Sequence, residues 1–232
     1  MEFLHAGFKK PEVLDSDKFK GVKFQFPKDY SFAKTLDAIP LGFKEILPAT
    51  MYYPVFFAKH EDYILPFAVI GVNRRNVFVR EDGTWKTEII PSLIEVYPFG
   101  FSKKGEDYIV LIDAALKSED GIALFDELGN ETEDMKKYKE KLTYVAKDLE
   151  DALKFAKSIQ ELGLFTSINL EASTALGEVK VKNLISVDVA KFSSISPEKL
   201  WYLNTNGYLT ILIAHYLSLR NFKLLEVWAE KD

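Results

Sequence analysis

The sequence contains no cysteine. That removes disulfides, thiolate nucleophiles and every zinc or iron–sulfur site that needs sulfur ligands. Histidine is scarce too: 3 in 232 residues, namely His5, His60 and His215. No two of them stand at the spacing of a helical ligand pair, so no metal site is expected, and no motif calls for a cofactor. The phosphate-loop pattern GxxxxGK[ST], the dinucleotide fingerprint GxGxxG, the nucleophile elbow GxSxG and the metalloprotease HExxH are all missing. There is no basic excess either, since the formal net charge is −5. Sequence-independent nucleic-acid binding requires a cationic face that displaces counterions, so no nucleic-acid partner is expected.

Long apolar runs are equally wanting. The most hydrophobic one, Tyr208 to Leu219, is interrupted by Thr210, His215 and Ser218. It falls far short of the roughly 20 residues needed to cross a bilayer, so it reads as a buried helix and no membrane span is expected. The beginning, MEFLHAGFKKPEVLDSDKFK, lacks the apolar stretch of a secretory leader. The expected compartment is the cytoplasm, the alternative being a cell surface reached without an N-terminal signal peptide.

What is present is core-forming material. Hydrophobic residues make up 47% of the chain and charged ones 28%, with 18 Phe and 11 Tyr, the balance of a globular protein. No repeat, low-complexity tract or linker divides the chain. It reads as a single domain over 1–232: a sheet-rich half at about 20–128, a long helix at about 131–162, then a hairpin and C-terminal helices over 163–232. The expected fold class is α+β, an antiparallel or mixed sheet with one long amphipathic helix and a buried C-terminal helix.

Local signals carry this reading. FKGVKFQF alternates like a strand with one buried face. Ser31 is placed to cap a short helix from Phe32 to Asp37, ended by Pro40, and a second helix or turn spans Leu41 to Leu47. Strands are expected at Val55–Ala58, Phe67–Val72 and Asn76–Arg80, the last two joined through Asn73-Arg74-Arg75-Asn76, because Asn tolerates the left-handed region. Asp82-Gly83 forms the next tight turn, and YIVLIDA (108–114) reads as a central strand buried on both faces. In the long helix, Met135, Tyr138, Leu142, Val145, Leu149, Ala152, Ala156 and Ile159 recur at steps of three and four. Such a stripe permits a coiled-coil homodimer, but small Ala152 and Ala156 favour close packing against the protein's own sheet or a second helix. Asn130 with Glu133 reads as its capping box, and Gly163 as its C′ residue. EVKVKNLISVD after Leu176-Gly177 completes a second hairpin, and Ser196-Pro197 opens another helix.

Few residues offer chemistry. His60 lies beside Glu61-Asp62 and could move a proton, though an exposed loop histidine is the favoured reading. Six adjacent acid pairs, from Glu61-Asp62 to Glu150-Asp151, read as solvated turns and helix faces, since neighbours on a strand point apart. Arg74-Arg75 at a hairpin tip offers charge to an anionic partner, or is simply a solvated turn. Two site readings follow. Trp85, Tyr97, Phe99 and Tyr53, set around Pro54, Pro91 and Pro98, build either a rigid aromatic binding face for a protein partner or small ligand, or part of the core. Alternatively, His215 as base with Tyr53 and Tyr97 as acid or oxyanion donors, joined by Arg80 or Asp113, forms a small-molecule active site.

The succession YYPVFFA, PFAVIG, NVFVREDGTW, IIPSLIEVYPFGF, YIVLIDA and GIALFDELGNET, ending in LNTNGYLTILIAHYLSL, resembles the bacterial SapC-like family. The resemblance covers roughly residues 30 to 225 and includes Pro48, Tyr53, Pro54, Gly83, Trp85, Tyr97, Pro98, Phe99, His215 and Ser218. One departure is Glu95-Val96, where family members often carry basic residues before Tyr-Pro-Phe. The resemblance implies no established reaction. The family's name implies an accessory role in surface-layer or cell-envelope biogenesis, and rigid aromatics without a recognisable catalytic set make a non-catalytic binding or accessory protein the leading reading.

Overall fold

A computed structural model describes residues 3–60, 63–104, 107–174 and 176–230. Helix accounts for 41% and strand for 29% of the structure, and the class is α+β. The described residues form four sheets. The first has the order β1 (Phe3–Leu4), β9 (Phe99–Lys104), β10 (Asp107–Asp113), β2 (Pro11–Val13). A small one joins β11 (Lys117–Ser118), β3 (Lys23–Phe24) and β12 (Ile122–Ala123). The largest runs β13 (Phe165–Thr174), β14 (Gly177–Val187), β5 (Val55–His60), β6 (Tyr63–Val69), β4 (Ala38–Pro40), and β7 (Gly71–Val72) pairs with β8 (Arg75–Asn76). All named strand pairs are antiparallel. The helices are α1 (Ser16–Phe19), α2 (Phe43–Ala49), α3 (Ser92–Glu95), α4 (Glu133–Glu161), α5 (Val189–Ser193), α6 (Pro197–Thr205), α7 (Tyr208–Ser218) and α8 (Leu224–Glu230).

The turns follow their local chemistry. Asn73 and Arg74 both take positive φ, 54° and 63°, the conformation that lets a two-residue turn match strand twist. Gly83 at φ 85° closes the Asp82-Gly83 turn, across which Val79 bridges Trp85. The β13–β14 ladder shifts register between Ile168 and Leu170, opposite Asn183 at φ 59°. The helix expected over Phe32 to Asp37 shrinks to one 3₁₀ turn at Ser31–Ala33, and Asp29, not Ser31, supplies the side-chain acceptor there. Ala38–Pro40 then pairs with β6 as an edge strand, where a missing N–H costs nothing.

α4 is one 29-residue helix. Its cap is Thr132, whose hydroxyl accepts from the Met135 N–H, whereas Asn130 bonds to Asp126. Both residues are cap formers, and position was settled by Thr132 also donating to the Ala123 carbonyl. Met135, Leu142, Val145, Leu149, Ala152, Phe155, Ala156 and Ile159 are buried in the protein's own core, against β6 and α2. A dimer through this stripe would first have to unpack it.

The C-terminal helix is buried on one side only. Ile211, Leu212, His215 and Ser218 face inward, while Ile213 (46%), Tyr216 (50%) and Leu217 (50%) are exposed. With Thr210, His215 and Ser218 scattered through it, the run has no charged stripe to reveal which face solvent will meet. Among the described residues, no helix is long and apolar enough to cross a membrane.

Candidate functional site

The segment from Trp85 to Phe101 folds into the interior. Tyr53 and Phe99 are fully buried, and Trp85 and Tyr97 are 7% and 8% exposed. The Trp85 indole N–H donates to the Tyr53 hydroxyl at 2.9 Å, and that hydroxyl also bonds to Thr87 and to the Ile89 carbonyl. Burial pushes the Tyr53 phenol up to about 12, so it stays protonated and acts as a structural tie. Tyr97 stacks on Phe32 at 4.0 Å, and Phe32 and Trp85 both touch Tyr30. The rings thus form one connected wall, and its other side is protein. Phe99 packs against Phe26 and Tyr138 from α4, and the Tyr97-Pro98 peptide is cis.

Asp113 has no exposure, yet its carboxylate is satisfied. It accepts from the N–H groups of Lys9, Lys10 and Ala115 and from the Tyr97 hydroxyl, at 2.8 to 3.1 Å. Burial alone would raise this acid, but the four donors outweigh it and hold the carboxyl below the usual range. Burial, followed by Asp113 itself, pushes the Tyr97 phenol up. The pair therefore pins the N-terminal segment to β10. Asp113→Ala is expected to leave three amides and a phenol unpaired, and to raise amide exchange at Lys9 and Lys10 at least tenfold without similar change in α4. Equal exchange at Lys9 and Lys10 in the two proteins would refute this role.

His215 is also enclosed. Its Nδ1 lies 2.8 Å from the Val55 carbonyl, and Nε2 accepts from the Val187 N–H at 3.3 Å and faces the Ser186 hydroxyl at 3.1 Å. An acceptor at Nε2 places the ring proton on Nδ1. Burial lowers its pKa to about 4, the Val55 bond acting in the opposite sense. One turn on, Ser218 accepts the Val55 N–H at 3.1 Å and donates to the His215 carbonyl. Two side chains of α7 thus occupy both hydrogen-bonding groups of Val55, as a neighbouring strand would. Asn221 adds a third tie, to the Thr50 carbonyl at 2.8 Å.

His215, Tyr53 and Tyr97 bond to three different sets of partners, and none bonds to another. Arg80 is half-buried and donates to Thr84 and the Trp85 carbonyl. The side chain of His60, and Glu61-Asp62 beside it, lie outside the described residues. Among the described residues, no group of His, Asp and Glu could hold a metal ion.

Two further acids, Asp148 buried and Glu45 half-buried, were missed in the sequence. Asp148 on α4 accepts the Lys44 N–H with both oxygens, and Glu45 accepts from Gly42 and Ser92 at 2.8 and 2.6 Å. They cap α2 and α3, and burial raises both pKa values. Periodicity could have exposed only Asp148, which stands in the apolar stripe one residue before Leu149.

Two outward features remain. Between α4 and the first sheet runs a groove of about 570 Å³, floored by Leu14, Phe101, Val110 and Met135 and rimmed by Lys139, Lys147, Glu131 and Glu150. On the C-terminal helices, Trp201 is 69% exposed, and Leu200, Leu224 and Val227 are exposed with the outer residues of α7.

The family model described as SapC matches residues 14–225. No curated protein and no solved structure matches the chain.

Proposed function

This chain belongs to the SapC family, and we propose that it is a non-catalytic accessory protein that holds a protein partner on the outer faces of α6, α7 and α8. The observation that carries this reading is α7. Its sequence, YLTILIAHYLS, holds no charged side chain once His215 is neutral, yet half of it meets solvent. A helix apolar all round is normally covered on every side, and exposed apolar surface beside it marks an interaction site. Trp201 and Tyr216 are residue types that anchor interfaces. The enclosed, doubly bonded His215 supports a structural role for the residue best suited to acid–base work. The workplace on this reading is the cytoplasm, in support of surface-layer or cell-envelope assembly.

The test is a photo-crosslinking amino acid in place of Trp201 or Tyr216 in living cells. A discrete adduct is expected from both positions and should disappear when Ile213→Asp is added. The same smear as from a probe at exposed Lys136, in the first turn of α4, would sink the proposal. The groove beneath α4 favours a second reading, an amphipathic small ligand, because its volume and apolar floor with a charged rim are those of ligand sites.

A further inference from the structure

The two ends of the five-stranded sheet are unlike. β4 is 3 residues long and carries Pro40, whereas β13 is 10 residues long and has β14 as its one strand neighbour among the described residues. Natural sheets guard such an edge with lysine, proline, a bulge or a covering element. β13, FTSINLEAST, holds neither lysine nor proline and a single charge, Glu171. The nearby bulge leaves it straight. From Ile168 to Leu170 β13 advances two residues while β14 runs three, from Leu184 to Val181, so the extra residue and the positive φ of Asn183 belong to β14. Ser167, Asn169 and Glu171 are exposed.

The direction of the backbone groups follows from the ladder. In an antiparallel pair, residues that bond to the neighbouring strand alternate with residues that face away from it. The Leu164 carbonyl accepts the Asp188 N–H at 2.8 Å, so residue 164 faces β14. Val187, opposite Phe165, sends its N–H the other way, to His215. Ile185, opposite Ser167, pairs with Phe57 of β5. All three observations turn the same residues outward. Phe165, Ser167, Asn169 and Glu171 therefore aim their N–H and C=O groups at the open side, where no other strand of the described residues meets them.

We propose that β13 pairs with β13 of a second copy of this chain, antiparallel, about a two-fold axis at Asn169. Contact between identical patches requires a surface complementary to itself, and this strand is one. Asn169 lies at the middle of Phe165–Thr174, so an axis there pairs the strand over most of its length. In that register each outward-facing residue meets another: Asn169 meets its own copy, and Ser167 meets Glu171 of the second copy. Every such pair exchanges two N–H to C=O bonds. The carboxylate of each strand stands opposite a hydroxyl and never opposite its twin, so no like charges oppose. Within its own hairpin Glu171 lies across from Lys180. A foreign strand would find the same backbone groups but no charge pattern to select it. Pairing would join two five-stranded sheets into one.

Sedimentation of the full chain from about 1 μM to about 1 mM is expected to show a reversible monomer–dimer equilibrium. Ser167→Lys, which sets a cation against Glu171 at both ends of the contact, should tighten the dimer about fivefold, and Ser167→Glu should loosen it about fivefold. Ile213→Asp on α7 should leave it unchanged. The cysteine-free chain also permits a test of register. Facing residues in a bonded antiparallel pair stand about 5.5 Å apart at Cα, within reach of a disulfide. Ser167→Cys and Glu171→Cys chains oxidised together should therefore give a mixed dimer, while two copies of either one hold their thiols about 13 Å apart along the strands. A monomer throughout the concentration range overturns the proposal and leaves the edge to a foreign strand. A dimer that ignores both Ser167 substitutions, or that Ile213→Asp abolishes, overturns it in favour of another face. Disulfides formed as readily by either cysteine variant alone overturn it too. None of these β13 residues lies on α6 to α8, so this result and the crosslinking result stand or fall separately.

Discussion

His215→Ala is expected to destabilise the protein by about 3–5 kcal/mol, the range for a cavity that also strands buried polar groups. The substitution removes the donor to the Val55 carbonyl and the acceptor for the Val187 N–H, and it opens space beside Phe57, whose ring lies 5.1 Å from the imidazole. The pH dependence should change with it. The imidazole titrates near 4 when folded, against 6.5 for an ordinary histidine free of the fold, so between those values the unfolded chain binds the extra proton. Stability should therefore be complete above pH 6.5 and decline as pH falls toward 4, by about 3 kcal/mol at 1.36 kcal/mol per pH unit. Urea unfolding of wild type and His215→Ala at pH 7.5 and 4.5 checks both points. The variant should lose most of that acid-side slope. An unchanged slope would mean that other groups carry the acid sensitivity.

Gly71→Ala is the second change of this size. A Cβ on Gly71 would stand 2.4 Å from the Arg75 carbonyl oxygen and 2.7 Å from that of Leu36. Both obstacles are backbone, so no side-chain rotation relieves them, and the β7–β8 turn would have to separate from the segment carrying Asp37, whose carbonyl accepts the Gly71 N–H at 3.0 Å. A loss of about 3 kcal/mol is expected, which for a chain of this length lowers Tm by about 6–12 °C. Gly163→Ala makes the control: nothing lies within 4 Å of its added methyl, and only the positive φ of 73° counts against it. That variant should lose about 1–2 kcal/mol. Equal melting temperatures for the two would show that the backbone near Gly71 yields.

Features set by near neighbours were readable from the chain. The Asn73-Arg74 turn, the Asp82-Gly83 turn, the Ser196-Pro197 helix start and the stripe of α4 depend on residues within a few positions, and local rules reach that far. Features assembled across the chain were not. Asp148 and Lys44 are 104 positions apart, and His215 and Val55 are 160 apart. No spacing rule links such pairs. The aromatic segment was visible as a stiff unit, but composition does not say whether a ring faces ligand or protein. Arg74-Arg75 stood out as charge at a hairpin tip, and only the fold could set Lys34 and Arg80 beside Arg75. The half-open state of α7 was hidden for the opposite reason: every residue on it looked suitable for the interior.

The two α7 side chains bonded to Val55 also order events during synthesis. Strand β5 emerges from the ribosome early, but its first peptide group has no lasting cover until residues 215 and 218 have followed, and its pairing with β14 waits for residue 185. A nascent chain stalled before residue 210 would therefore display a raw sheet margin to its neighbours. Closing that margin depends on a helix that arrives almost last.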